Sequence, residues 1–200
     1  MFLISKPTEA AISAFLAKAA KSTFSYADVG ATRGEIPPEG FNVDHNRKII
    51  GRGPDDFEKA KGAIRSWKMF DLGWVRLVPT DTPIEEGRNV AIVVSHFGFY
   101  SMSTARIVYV IDEPSRFGFA YGTLAEHVEM GEERFSVEFD HETEEVWYDL
   151  LAFSQPNAFL AKLGYPISRY LQRSFAHDSK AAMLRAVNSN SIEPSQNRER

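Results

Sequence analysis

The second half of the chain contains six strand-like runs that follow one another with short connections. From Trp74 to Phe153, apolar residues recur at about every second position, as they do in strands with one buried face. Connections such as "YSMST", "DEPS" and "DHETE" are only a few residues long. Parallel strands require long crossover connections, so this spacing predicts an antiparallel meander over residues 72–153.

Helical patterns flank this meander on both sides. Thr8 is a suitable N-cap for a short amphipathic helix, and Pro54 is suited to the first turn of a second one. After the last strand, apolar residues return at every third or fourth position, interrupted by "LGYP". No linker or internal repeat divides the chain. The predicted organisation is a single domain over residues 1–187, with an N-terminal helix and strands in 1–53, a helix in 54–70, the meander in 72–153, C-terminal helices in 156–187, and a disordered tail in 188–200.

Composition excludes several classes of function. The chain has no cysteine, which rules out disulfides, thiolate zinc sites and cysteine nucleophiles. A net charge of −4 provides no basis for binding nucleic acid. The apolar run from Met1 to Ile4 is too short for a signal peptide, and no run approaches the ~18 apolar residues of a membrane span. A cytoplasmic protein without a membrane span is therefore expected.

An antiparallel sheet followed by a long helix predicts an α+β fold with one favoured packing. A curved sheet of about six to seven strands can wrap around the C-terminal helix, which buries its apolar face against the concave side. The earlier helix would close one end of the sheet. This arrangement leaves a cavity between sheet and helix.

Several motifs support the same architecture by resemblance. They are "YADVGATRGEIPPEGF" (Tyr26 to Phe41), "IGRGPDDFEKA" and "YGTLAEHVEMGEERF" (Tyr121 to Phe135). The chain resembles the START-like (SRPBCC, helix-grip) superfamily. More closely, it resembles an uncharacterised domain-of-unknown-function family of bacteria and plants with the motif YGTLxxHxxxGEERF. This resemblance implies a helix-grip fold with a pocket, and it carries no known reaction or catalytic residue.

Alternation along the strands on either side of the motif loop divides their residues between two faces. Before the loop, the large side chains share one face, and small residues share the other, where another backbone can approach closely. After the loop, Glu133 and Phe135 are expected to face inward while Glu132 and Arg134 face outward. A one-residue bulge at Gly131 would exchange the two sides. The large face before the loop consists of Phe117, Phe119, Tyr121 and Thr123, and the small face of Gly118, Ala120 and Gly122.

The candidate ligand-binding residues come from this stretch and from the N-terminal motif. Arg33 is suited either to a ligand carboxylate or phosphate or to bracing a loop. His127 with Glu129, Glu132 and Glu133 has the ligand chemistry of a metal site but lacks HxH or HExxH spacing, so no metal and no cofactor is predicted. The candidates are Tyr121, Thr123, His127, Glu133, Arg33, Phe119 and Phe135.

Three functions remain open from the sequence. With 15 Phe and 7 Tyr, the strands favour a protein that binds a hydrophobic or amphipathic small molecule. The alternative is an enzyme of cyclase, dehydratase or hydrolase type in which His127 and Glu133 act as acid and base. The third is a non-catalytic protein-interaction module, which requires a filled interior.

Overall fold

The fold is an antiparallel sheet covered by helices and loops on both faces. The structure, a computed structural model, describes residues 1–34, 39–125, 129–156 and 165–189. The α+β architecture predicted from the sequence, a curved antiparallel sheet with a C-terminal helix, is confirmed. In chain order the elements are β1 (Phe2–Leu3), α1 (Glu9–Ala19), a 3₁₀ turn (Ala31–Arg33), β2 (Asn42–Arg52), α2 (Gly53–Arg65), a second 3₁₀ turn (Lys68–Phe70), β3 (Val75–Val78), β4 (Asn89–His96), β5 (Phe99–Glu113), β6 (Arg116–Thr123), β7 (Glu129–Phe139), β8 (Glu145–Pro156) and α3 (Tyr165–Asn188).

Seven strands form the main path of the sheet in the order β2-β8-β7-β6-β5-β4-β3, and the short β1 pairs with β5. The strands from β3 to β8 form the predicted meander, while β2 comes from the N-terminal part of the chain and adds to the far edge beside β8. The predicted run "NVAIVVSHFGF" belongs to two strands rather than one. It turns at Phe97 and Gly98, which both have positive φ angles, of 49° and 81°.

The inner face of the sheet, which we define as the face covered by α2 and α3, holds the main core. Phe57, Ala60 and Ile64 of α2 are buried there. The helix predicted over 54–70 ends at Arg65 and continues as a 3₁₀ turn, because Trp67 has a left-handed backbone (φ 53°) that interrupts the α-helix. The Trp67 indole N–H donates to the Thr82 carbonyl at 2.7 Å, and this bond holds the interruption in place.

The outer face is covered by α1 and by the segment from Phe24 to Gly34, which we call the N-terminal segment. Thr8 caps α1 as predicted, accepting a hydrogen bond from the Ala11 amide at 3.2 Å. Arg106, which projects from β5, donates to the Ala19 carbonyl at 2.9 Å and so satisfies the C-terminal end of α1. The sheet is therefore buried on both faces, which strand periodicity alone did not indicate.

The C-terminal part differs from the prediction in where the helix begins. Strand β8 continues to Pro156, so the helix start predicted at residue 156 is wrong. Residues 157–164, and with them half of "LGYP", lie outside the described part of the chain, and so do residues 190–200 of the predicted tail. Helix α3 then runs from Tyr165 to Asn188 across the inner face. Within the described ranges, no helix is long and apolar enough to cross a membrane.

Candidate functional site

An open cleft of about 550 Å³ lies between the inner face of the sheet and α3; we call it the inner cleft. Sites for small molecules in proteins are typically clefts of this size. Apolar and aromatic side chains from β3, β4, β8, α3 and the second 3₁₀ turn supply most of its wall. They include Phe70, Trp74, Val75, Ile92, Leu150 and Phe175.

Tyr121 and Glu133 form the polar centre of this wall. They are directly opposite each other on β6 and β7, and the Tyr121 hydroxyl donates to Glu133 Oε2 at 2.7 Å. The pairing of β7 with β8 continues without a break at Gly131, which lies opposite Ser154. No bulge exchanges the faces, so Glu133 borders the cleft, as simple alternation predicts.

The environment of Glu133 disfavours its charged form. Burial raises the pKa of its carboxyl to about 7, and the negative charges of Glu129 and Asp44 act in the same direction. The hydrogen bond from Tyr121 opposes this shift, because it stabilises the ionised carboxylate. Burial, followed by the charge of Glu133, raises the pKa of Tyr121 as well. At neutral pH the pair therefore holds a carboxyl that can both accept and donate a proton.

A chain of hydrogen bonds joins α3 to the strands beside this pair. Arg169 Nη2 donates to Asp44 Oδ1 at 2.8 Å, and Arg169 Nη1 donates to Gln172 Oε1 at 2.7 Å. The Gln172 amide in turn donates to Glu129 Oε2 at 2.6 Å and to Ser154 Oγ at 3.0 Å. This polar rim holds the N-terminal half of α3 against β2, β7 and β8.

Glu132 and Arg134, expected to face outward, are buried, with 2% and 8% of their surface exposed. They do project to the outer face, but the N-terminal segment covers that face. Glu132 accepts hydrogen bonds from the Tyr26 hydroxyl (2.6 Å), the Gly30 amide (2.7 Å), the Thr32 amide (3.0 Å) and the Thr32 hydroxyl. The predicted outward direction is correct, and the charges are buried there because hydrogen bonds and ion pairs compensate them, partners that sequence spacing does not show.

Arg134 extends this outer network to the edge of the sheet. Its guanidinium donates to the Thr32 carbonyl at 2.7 Å and to Asp149 Oδ1 at 2.9 Å. The other oxygen of Asp149 lies 2.7 Å from His45 Nε2. The "YADVGATRG" and "GEERF" motifs therefore meet through a structural network on the outer face, and only Glu133 and Phe135 of the second motif project inward.

The remaining candidate residues occupy several different places. Thr123 borders the cleft, but its hydroxyl also accepts from the Gly131 amide at 2.9 Å and lies 2.6 Å from Ser25 Oγ. Phe119 and Phe135 are fully buried below Trp67 and Phe70 and belong to the core. Arg33 is exposed on the outer face, with its guanidinium 4.2 Å from the centre of the Tyr109 ring. His127 lies outside the described residues.

Several cleft residues were not among the candidates. Trp74 borders the cleft, and its indole N–H donates to Asp178 on α3 at 2.9 Å. Phe175 lies at the apolar spacing of the predicted C-terminal helix, and this spacing was the sequence signal for it. No sequence signal distinguished Gln172 from the other polar residues of that helix. No group of three His, Asp or Glu side chains within the described ranges is placed to hold a metal ion.

Comparison with known proteins identifies relatives over most of the chain. A protein-family profile described as "Domain of unknown function (DUF1990)" matches residues 25–182. A UPF0548 protein of Dictyostelium discoideum is 37% identical over 210 residues, covering 95% of this chain and 97% of the relative. A UPF0548 protein of Arabidopsis thaliana is 39% identical over 160 residues, covering 77% of each chain.

Solved structures show a similar fold at low sequence identity. The hypothetical protein jhp0584 from Helicobacter pylori aligns with a TM-score of 0.53 at 14% identity, covering 78% of this chain and 92% of its own. A norcoclaurine synthase point mutant from Thalictrum, in complex with a transition-state analogue, aligns with a TM-score of 0.50 at 10% identity, covering 76% of this chain and 97% of its own. At these identities the likeness concerns the fold alone.

Proposed function

The chain belongs to the DUF1990 family, and on that premise we propose that it binds a hydrophobic or amphipathic small molecule in the inner cleft. The observation that carries this proposal is the cleft itself, whose wall combines aromatic side chains with one partly buried carboxyl–phenol pair. Apolar burial supplies affinity in such a site, and a few polar groups set the orientation of the ligand. A filled interior, which the interaction-module hypothesis requires, is at odds with a cleft of about 550 Å³.

The fold of the norcoclaurine synthase structure supports the proposal in a limited way. That protein holds a transition-state analogue on a similar architecture, with 10% sequence identity to this chain. A sheet wrapped on a helix is thus a scaffold on which a small-molecule site can be built. Which molecule enters the cleft of this chain depends on its own side chains.

The test uses mass spectrometry and a cleft-filling variant. Purified protein is measured under native and then denaturing conditions to detect co-purifying small molecules, and uptake of the neutral dye Nile red is followed by fluorescence. Ala152 borders the cleft, and its neighbour Leu151 projects to the outer face. We expect Ala152→Phe to abolish ligand retention and dye uptake, and Leu151→Phe to preserve both. The absence of both signals from the wild-type protein, or equal uptake by the two variants, would reject the proposal.

A second candidate function is acid/base catalysis on a molecule bound in the same cleft. The observation that favours it is the Tyr121–Glu133 hydrogen bond together with the Glu133 pKa of about 7, which suits a group that gains and loses a proton at neutral pH. Conversion of the co-purified molecule by the wild-type protein, with retention but no conversion by Glu133→Gln, is the expected result. Equal conversion by both proteins would exclude Glu133 as the acid or base.

A further inference from the structure

Glu133, on β7, is one of the sheet carboxylates that border the inner cleft. It lies between Tyr121 on β6 and Ala152 on β8, and all three residues border the cleft. Among the described residues, Tyr121 is the one hydrogen-bond donor to this carboxylate, and it binds Oε2. Oε1 therefore has no donor within the described part of the chain, and Glu133 borders a cleft whose wall is mostly apolar.

The charges that act on Glu133 do not compensate its own. Glu129 and Asp44 both add negative potential at its carboxyl, and no cation of the described residues is among the groups that shift its pKa. Two cations of α3 are held by other groups: Arg169 binds Asp44, and Lys180 donates to Asn46 at 2.8 Å. Among the described residues, the titratable and charged groups that pack around Glu133 or border the cleft with it are Asp44 and His45 on β2, Tyr121 on β6, Glu129 and Glu132 on β7, Tyr148 on β8, and Arg169, Arg173, His177 and Lys180 on α3.

We infer that the inner cleft selects amphipathic amines, with the protonated amino group against Glu133 and the apolar body between Phe70, Trp74 and Phe175. This inference rests on the proposed function, since it names the chemical class of the ligand for the same cleft. An ammonium group provides donors for the free Oε1, and charge-assisted hydrogen bonds of this kind are about twice as strong as neutral ones. A carboxylate ligand would meet like charges, and a neutral ligand would forgo the ion pair.

Binding of an amine must be coupled to the loss of a proton from Glu133. The ammonium group pairs with the ionised carboxylate, and a carboxyl whose pKa is about 7 is mostly protonated at pH 6 and mostly ionised at pH 8. The apparent affinity scales with the ionised fraction, so the dissociation constant of an amine should fall about tenfold between these pH values. The dissociation constant of a neutral ligand with the same apolar body should not change with pH in this way.

Three probes that differ only in their polar end test the inference. They are 3-phenylpropylamine, 3-phenyl-1-propanol and 3-phenylpropanoate, each titrated by calorimetry at pH 6, 7 and 8 against the full-length protein. We expect the amine to bind at least tenfold more tightly than the alcohol at pH 8, and the carboxylate to bind most weakly. Glu133→Gln should reduce amine binding to the level of the alcohol and remove its pH dependence. Glu138→Gln, on the outer face of the same strand, is the matched control and should change neither.

A second variant keeps the test decisive if Glu133→Gln does not fold. Tyr121→Phe retains the carboxylate and removes its donor, so the pH midpoint of amine binding should move upward. Equal or tighter binding of the alcohol, or amine binding without pH dependence, would overturn this inference and leave the proposed function intact. If none of the three probes binds and Nile red does not bind either, both the amine inference and the proposed function are rejected.

Discussion

Glu132 and Glu133 are adjacent in the sequence, yet their carboxylates lie on opposite faces of β7 and have opposite environments. Glu132 accepts four hydrogen bonds from the N-terminal segment on the outer face. Glu133 accepts one, from Tyr121, and borders the inner cleft. Strand alternation thus separates a carboxylate that anchors the fold from one that is available to a ligand.

Removal of the Glu132 carboxylate should destabilise the folded protein. Glu132→Ala leaves the four donors of Tyr26, Gly30 and Thr32 without their acceptor, and we expect the free energy of unfolding to fall by about 3 kcal/mol or more, measured by urea denaturation. Glu138→Ala is the control on the same strand and face, where the carboxylate is 26% exposed and pairs with Arg47 and Arg116. Its cost should stay below about 1 kcal/mol. Similar losses in the two variants would show that Glu132 has no special anchoring role.

The contact between Gly122 and Tyr26 should tolerate no side chain. A Cβ at Gly122 would lie 2.1 Å from Tyr26 Oη, so Gly122→Ala should displace the N-terminal segment and destabilise the protein by about 2 kcal/mol. The segment's displacement is measurable as faster hydrogen exchange of the Gly30 and Thr32 amides. In contrast, Gly62→Ala, in an exposed position of α2 where an added Cβ meets no atom within 4 Å beyond the neighbouring helix backbone, should stabilise by up to about 1 kcal/mol. Unchanged exchange in Gly122→Ala would contradict the close packing.

Two substitutions should move the pKa of Glu133 in opposite directions. Asp44→Asn removes a negative charge that raises this pKa and should lower it, whereas Tyr121→Phe removes a bond to the ionised form and should raise it. Carbon-13 NMR of the Glu133 carboxyl measures both shifts. Asp55→Asn, at an exposed site in α2, serves as the control and should leave the titration unchanged. Shifts in the same direction for Asp44→Asn and Tyr121→Phe would refute the proposed electrostatics.

The same carboxyl should make stability depend on pH. Its folded-state pKa of about 7 lies above the ordinary value of 4.5, so the folded protein binds the proton more tightly than the unfolded chain does. The corresponding stabilisation is complete below pH 4.5 and is lost as the pH rises through 7, by about 3 kcal/mol at most. The difference in unfolding free energy between the wild type and Glu133→Gln should therefore decline from pH 5 to pH 8. A constant difference would mean that Glu133 titrates normally.

The sequence predicted local structure well because its strands carry clear alternation. Alternation placed Phe117, Phe119 and Tyr121 of β6 on one face, and all three lie in the main core. The small face was assigned to close approach, and Gly122 indeed lies against Tyr26.

The errors arise where one part of the chain covers another that is distant in sequence. Glu132 is buried by Gly30 and Thr32, about a hundred residues earlier, and no spacing rule reveals such a contact. Arg33 is on the outer face for the same reason, because the N-terminal segment crosses that face. Trp74 and Gln172 border the cleft only through the placement of α3, which depends on the whole sheet.

The pairing of β2 with β8 has a consequence for folding during translation. Strand β2 spans Asn42–Arg52, and its partner β8 spans Glu145–Pro156, so about a hundred residues must be translated between them. At 5–20 residues per second, β2 waits roughly 5–20 s for the strand that completes its hydrogen bonds. The inner cleft has walls from both strands and from α3, which follows β8. A nascent chain therefore lacks the complete inner cleft until α3 has been translated.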